Sequence, residues 1–149
     1  VVCGYDEGLR CLPVTLMASE AERCEPNFWL SCLLINEEAM GRQVRSETEA
    51  LYVSEPGKSC PTEILETRAR YHAEGRPVWK PMHMQPMYRM HEAVGREGTL
   101  RCRTNAYIAG GVEDVGADIF RRGVCLPSDN KMTAEEQDRI IEVIRACFE

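Results

Sequence analysis

The sequence of 149 residues lacks the features that mark several classes of protein. Its longest apolar run, Phe28 to Ile35, is interrupted by Ser31 and is too short to cross a membrane. Its start shows no basic segment followed by an apolar stretch, so no signal peptide is visible. With 18 Lys and Arg against 24 Asp and Glu, it has no basic excess of the kind that nucleic-acid binding needs. We therefore expect a cytoplasmic protein with neither a membrane nor a nucleic-acid partner.

The common short motifs of catalysis and metal binding are also missing. No CxxC pair could hold a structural zinc ion, and the 3 histidines do not have metal-ligand spacing with any cysteine. No Walker loop, GxGxxG or GxSxG motif occurs. We therefore predict no metal site and no complete catalytic constellation in this chain.

Cysteine, by contrast, is abundant, with 8 residues. An even count would permit a disulfide framework, but the sequence has no secretory signal and no Asn-x-Ser/Thr sequon. Cys32, Cys125 and Cys147 lie in apolar segments, where cysteine acts as a small buried hydrophobe. We therefore expect reduced thiols in a reducing compartment.

Apolar patterning predicts an α/β fold, α+β-like, in which helices cover a small sheet. Residues 27–36 read as a strand with two apolar faces, central in its sheet, and residues 124–126 as a short buried strand. An extended piece is expected at 76–79, and Thr133 with Glu136 forms a capping box. No repeat or linker divides the chain, so we expect a single domain over residues 1–149. The predicted helices cover residues 37–51 (weakly), 62–74 with Thr62 as N-cap and Gly75 as its end, 112–122 with Gly123 as its end, and 133–148.

The most unusual segment runs from Arg76 to Tyr88 and places Trp79, Lys80, His83 and Gln85 among three prolines. Because proline fixes φ and removes a hydrogen-bond donor, such a segment is stiff and suits the recognition of a polar ligand. The alternative is a proline-rich connector whose Trp79 fills the core. The residues alone favour neither.

Other candidates have simpler explanations. A lone histidine such as His83 is more often structural than functional, and the methionines at 82, 84, 87 and 90 are expected to pack. The Gly110–Gly111 pair could cradle a phosphate but is expected to form a turn. The acidic pairs Glu37–Glu38 and Glu113–Asp114 are expected to be solvated helix starts.

The pattern Arg76-Pro-x-Trp-Lys-Pro-Met-His-x-Gln-Pro86 resembles the small-domain signature of the DegT/DnrJ/EryC1/StrS aminotransferases. These are pyridoxal phosphate enzymes that act on nucleotide-linked keto sugars. Residues 118–128 with Met132-Thr-Ala-Glu-Glu136 resemble the ending of that family. Residues 5–12 resemble the end of its long helix, and Asn27-Phe-Trp-Leu30 one of its strands. The resemblance covers nearly the whole chain, although residues 37–73 form a longer connection than is usual in the family.

The resemblance implies the C-terminal small domain of a fold-type-I aminotransferase whose large domain is absent. In the family that domain carries the lysine that holds the cofactor. Lys58, Lys80 and Lys131 are the only lysines here, and none has the family's sequence context around that lysine. The chain also starts without Met, so we expect it to be a piece of a longer protein. We predict no catalytic and no cofactor-binding residue, and pyridoxal phosphate bound by the full-length enzyme only.

The resemblance also implies roles for five substrate-binding residues. Trp79 would stack on a sugar or nucleotide face, and Lys80 would attract the diphosphate. His83 and Gln85 would hydrogen-bond to sugar hydroxyls or the keto oxygen. Arg76 would bind the carboxylate of the amino donor, or else form an internal ion pair.

The implied partners are a nucleotide sugar and an amino donor, glutamate in much of the family, in cell-surface polysaccharide biosynthesis. A homodimer is expected through the parent protein or through self-association of this chain. Sugar dehydration by a related enzyme with an altered lysine stays open. Outside catalysis, the alternative is a stand-alone remnant that binds a sugar nucleotide or another protein.

Overall fold

The structure is a computed structural model that describes residues 2–16, 25, 27–45, 49–88, 91–95, 98–101 and 114–149. The α-helices are α1 (Val2–Leu9), α2 (Pro61–Arg70), α3 (Val115–Arg122) and α4 (Ala134–Ala146). The strands are β1 (Val14–Leu16), β2 (Ser31–Ile35), β3 (Gln43–Arg45), β4 (Ala50–Tyr52), β5 (Arg76–Pro77), β6 (Glu92–Gly95), β7 (Gly98–Arg101) and β8 (Gly123–Leu126). No helix among the described residues is long and apolar enough to cross a membrane.

The chain forms two compact units. The first unit comprises residues 1–78 and 122–149, and the second comprises residues 79–121. The second unit contains the antiparallel pair β6–β7, most of α3, and a proline-rich segment with short 3-10 helices at Met82–Met84 and Pro86–Tyr88. The mixed α/β fold with a small antiparallel sheet agrees with the predicted fold class.

The first unit is built on a four-stranded antiparallel sheet with the strand order β1-β2-β8-β5. The internal position of β2 confirms the central strand predicted from its two apolar faces. The strand begins at Ser31 rather than at residue 27. Phe28 has a φ of 52°, and the Asn27 side chain accepts a hydrogen bond from the Trp29 amide, so this stretch turns before the strand starts.

The core lies on one face of this sheet. Leu33 and Ile35 of β2 and Val124 of β8 are fully buried there, against Tyr5 of α1 and Ile64 of α2. Side chains alternate across a strand. Cys32 and Leu34 therefore point to the opposite face, where Cys32 meets its register partner Cys125.

The helix predicted over residues 37–51 is wrong. Only Glu37–Ala39 form a short 3-10 helix, and β3 and β4 then pair as an antiparallel hairpin. Gly41 brings its backbone against that of Ser59, where an added Cβ would lie 3.3 Å from the Ser59 carbonyl carbon. This close backbone pairing, with a Gly41 N–H to Ser59 C=O bond of 2.7 Å, outweighs the weak helical pattern of the sequence.

The helix α2 starts and ends earlier than predicted. Its N-cap is Cys60 rather than Thr62, and Pro61 takes the first helical position, which needs no amide donor. Its last residue is Arg70, because His72 adopts a φ of 57° and turns the chain before Gly75. The predicted end at about residue 74 is therefore too late.

Several local predictions are confirmed. Thr133 and Glu136 form the capping box of α4, and Ile140 and Ile144 on its apolar face are buried. Gly123 ends α3, and the short strand β8 is buried along its length.

α3 begins at Val115 rather than 112, and the Gly110–Gly111 pair lies outside the described residues.

The cysteines in the described residues are all free thiols. Cys125 and Cys147 are buried, as predicted, whereas Cys32 is half-buried. Cys60, which the sequence did not single out, is fully buried at the start of α2.

Candidate functional site

The second unit holds most of the predicted site in one short proline-rich segment, residues 79–88. Pro81 precedes the first of its two 3-10 turns, and Pro86 begins the second. The Met84 amide donates to the Pro81 carbonyl at 2.9 Å, and the Tyr88 amide donates to the Gln85 carbonyl at 3.0 Å. Proline prevents a regular strand or helix here, so the backbone bonds close locally and hold the segment in one shape.

His83 is fixed in this segment by Asp114. The ring Nε2 lies 2.6 Å from Asp114 Oδ2, and both side chains are 19% exposed. Asp114 caps α3 at the same time, because its Oδ1 accepts a hydrogen bond from the Ala117 amide at 2.9 Å. Gly116 in the first turn of α3 lies close to Pro81, where an added Cβ would be 3.3 Å from the proline ring. The helix start thus holds the histidine in place.

This pairing determines what the imidazole can do. An ionised Asp114 only accepts hydrogen bonds, so Nε2 carries the proton and donates. The neutral ring then has Nδ1 as an acceptor. The arrangement can accept a hydrogen bond from a ligand hydroxyl.

Gln85 and Lys80 are linked through the backbone. The Gln85 side-chain amide donates to the Lys80 carbonyl at 3.2 Å, and both side chains are half-buried. Trp79, at the start of the segment, is 63% exposed. Trp79 therefore does not fill the core.

The packing predicted for the methionines of this segment is wrong for Met82 and Met87. Both are largely exposed. The short 3-10 turns place their side chains outward, because such turns bury no continuous face.

Arg76 lies in the first unit, in strand β5, three positions before Trp79. One guanidinium nitrogen is 2.6 Å from Glu74 Oε1, and both side chains are exposed. This is the internal ion pair that the sequence offered as the alternative for Arg76. The structure thus groups four of the predicted residues, Trp79, Lys80, His83 and Gln85, within the second unit, and places Arg76 in the first. Their contact with a substrate stays a prediction.

The described residues do not fit a pyridoxal phosphate site. Such a site needs a lysine together with cationic or hydroxyl groups for the phosphate. Lys58 pairs with Glu55 at 3.8 Å, and Lys80 is half-buried in the proline-rich segment. Lys131 lines an open groove of about 500 Å³ together with Arg139 and Tyr71, but three carboxylates share that groove, outnumber the two cationic groups and oppose a phosphate. These carboxylates are Glu74, Asp129 and Glu136.

Asp114 is the residue that the sequence analysis missed. It was expected to be a solvated helix start, and it does start a helix, but its second carboxylate oxygen holds His83. An aspartate directly before a helix is a cap signal that the sequence carries. No local pattern could reveal a partner 31 positions away.

The chain resembles known proteins in sequence and in fold. No family model matches the sequence. The chain is 36% identical over 88 residues to EpsN of Bacillus subtilis, named "Putative pyridoxal phosphate-dependent aminotransferase". That match covers 59% of this chain and 19% of the relative. The chain thus corresponds to only a small part of that relative.

A solved structure has the same fold in one part. The sugar aminotransferase Spr1654 from Streptococcus pneumoniae, described as "putative" and in its PMP form, matches with a TM-score of 0.63 and 16% identity. The match covers 99% of this chain and 29% of that protein. The chain is therefore homologous to a part of a pyridoxal phosphate-dependent aminotransferase and has the fold of a part of a sugar aminotransferase.

Proposed function

We propose that this chain is the C-terminal small domain of a pyridoxal phosphate-dependent aminotransferase that aminates a nucleotide-linked keto sugar. In this proposal it closes the active site and contributes substrate contacts. The observation that carries the proposal is the stiff segment 79–88. In this segment His83 is held by Asp114, and Trp79, four positions earlier in the sequence, is exposed. The relation to EpsN and the shared fold with Spr1654 support it.

Each group in the segment suits one part of such a substrate. The exposed indole of Trp79 offers a flat apolar face for a sugar or a base. The Lys80 ammonium would attract the diphosphate. His83 Nδ1 would accept a hydrogen bond from a sugar hydroxyl, and Gln85 would bind a second polar group. Arg76 would have to exchange Glu74 for the carboxylate of the amino donor.

Catalysis in this proposal needs residues beyond this chain. In this proposal the cofactor is held by the remainder of the aminotransferase rather than by Lys58, Lys80 or Lys131. Pyridoxal phosphate supplies the electron sink for amino transfer when it is bound. This chain's residues would orient the sugar and exclude water from the cleft. We place the parent enzyme in the cytoplasm, in cell-surface polysaccharide biosynthesis, acting as a homodimer with glutamate as its donor.

The test uses the two exposed tryptophans of the chain as reporters. Trp79 lies in the segment, whereas Trp29 lies in the first unit and is 69% exposed. Titration of the chain with a nucleoside diphosphate sugar is expected to quench the tryptophan fluorescence, with a Kd on the order of millimolar for a partial site. The quenching should vanish in Trp79→Phe and persist in the matched control Trp29→Phe.

His83→Ala is expected to weaken the same binding several-fold while Trp79 fluorescence stays intact. Quenching that depends on Trp29 alone would contradict the assignment of the segment. Equal quenching by a plain sugar without the nucleotide would contradict the substrate class.

A further inference from the structure

Two free cysteines face each other on the sheet of the first unit, on the side away from the core. Cys32 of β2 is the direct register partner of Cys125 of β8. Their sulfur atoms lie 3.7 Å apart and share a hydrogen bond. Neither thiol belongs to the proline-rich segment on which the proposed function rests.

This geometry is close to that of a disulfide. Directly paired residues of antiparallel strands have Cα atoms about 4.5–5.5 Å apart, and disulfides span Cα distances of roughly 4.4–6.8 Å. The backbone therefore already has the required spacing. Only the sulfur atoms must approach, by side-chain rotation, to the bond length of about 2.05 Å.

The two thiols differ in exposure and in pKa. Cys32 is half-buried, whereas Cys125 is only 5% exposed. The hydrogen bond from Cys125 lowers the pKa of Cys32, which favours a thiolate on the more accessible sulfur. The hydrogen bond to Cys32, together with burial, raises the pKa of Cys125, so this thiol keeps its proton and reacts second. Burial also raises the pKa of Cys60 and of Cys147.

We propose that Cys32 and Cys125 are a thiol oxidation site that closes to an intramolecular disulfide when the protein meets a peroxide. The Cys32 thiolate attacks one oxygen of hydrogen peroxide, the O–O bond breaks, and hydroxide leaves. The resulting sulfenic acid is attacked by the Cys125 sulfur: the S–S bond forms, the S–O bond breaks, and the departing hydroxide takes the Cys125 proton as water. In total, two thiols and one peroxide give one disulfide and two waters. The two sulfurs lose two electrons, and the peroxide gains them.

The bond would tie β2 to β8, the two internal strands of the four-stranded sheet. A covalent link between residues so far apart in sequence restricts the unfolded chain, so the oxidised protein should melt at a higher temperature. Reduction by a dithiol would restore both free sulfurs.

The experiment treats the full chain with hydrogen peroxide, alkylates the remaining thiols and digests with trypsin without reductant. The expected product links peptide 24–42 to peptide 123–131, with a mass lower by two hydrogen atoms, and a dithiol removes the link. Cys24 lies in the same peptide as Cys32, so the variant Cys24→Ser should keep the link. Cys32→Ser and Cys125→Ser should each abolish it.

Cys11→Ser serves as the matched control, because Cys11 is an exposed thiol in the same unit. This variant should form the link at the wild-type rate. The proposal is overturned if Cys32 and Cys125 both stay alkylatable at a peroxide dose that oxidises Cys3. It is also overturned if the mapped bond joins Cys125 to Cys24 instead. Mapping of the unaltered chain decides the question even if a serine variant fails to fold.

Discussion

At the scale of the residue, Tyr5 shows how burial controls ionisation. Its side chain is fully buried, and its hydroxyl donates to the Pro127 carbonyl at 2.9 Å. Burial raises the pKa of Tyr5 to about 12, although the nearby Arg68 charge opposes this shift. An unfolded tyrosine has a pKa of about 10. The folded protein therefore holds this proton more tightly than the unfolded chain.

The sign of the resulting pH dependence follows. The stabilisation by neutral Tyr5 is fully present below pH 10 and is lost as the pH rises towards 12. We expect the free energy of unfolding, measured in urea, to fall over this range by about 2 kcal/mol more in the wild type than in Tyr5→Phe. Phenylalanine keeps the ring and removes the ionisable hydroxyl. Parallel pH profiles for the two proteins would show that Tyr5 does not cause the loss.

The residues of the candidate site were predicted unevenly. Trp79, Lys80, His83 and Gln85 stand together in the sequence, so a local pattern sufficed to find them. The contact of His83 with Asp114 joins positions that are distant in sequence, and only the fold brings them together. Arg76 illustrates a different limit, because a pattern shows a guanidinium but not that Glu74 pairs with it.

At the scale of the element, the capping box of α4 offers a direct stability test. The Glu136 amide donates to the Thr133 hydroxyl at 3.2 Å, and the Thr133 amide donates to the Glu136 carboxylate at 2.8 Å. Thr133→Ala removes the hydroxyl that accepts the first bond, and it weakens the second bond, which the backbone amide at position 133 donates. We expect a loss of about 1 kcal/mol in the free energy of unfolding, measured by urea denaturation.

Glu135→Ala is the matched control for this change. Glu135 lies in the same first turn and is exposed, but it has no part in the capping box. Its replacement should change the free energy of unfolding by at most a few tenths of a kcal/mol. An equal loss in both variants would mean that charge near the helix start, rather than the cap, provides the stability.

The elements that the sequence predicted correctly have strong local signals. β2 has an apolar run, β8 a buried triplet and α4 a capping box with a helical stripe. The β3–β4 hairpin has none of these. Its residues show helical composition, yet they pair as an antiparallel hairpin, and Gly41 just before it pairs with the backbone of Ser59. Local composition does not show such pairing between separate segments.

At the scale of the whole molecule, the chain forms two compact units, residues 1–78 with 122–149 and residues 79–121. It spans 19% of EpsN and 29% of Spr1654. These proportions, together with the sequence context of the three lysines, support the proposal that the cofactor is held outside this chain. In the proposal, Trp79, Lys80, His83 and Gln85 bind the substrate, and the remainder of the enzyme holds the cofactor.

We propose that this chain contacts the substrate and that the remainder of the enzyme holds the cofactor. The most direct measurement incubates the purified chain with pyridoxal phosphate, reduces it with borohydride, and locates any adduct by intact mass and peptide mapping. We expect no stoichiometric adduct, with only trace labelling spread over Lys58, Lys80 and Lys131. One adduct per chain at Lys80 alone would contradict it, because the chain would then have a cofactor site of its own.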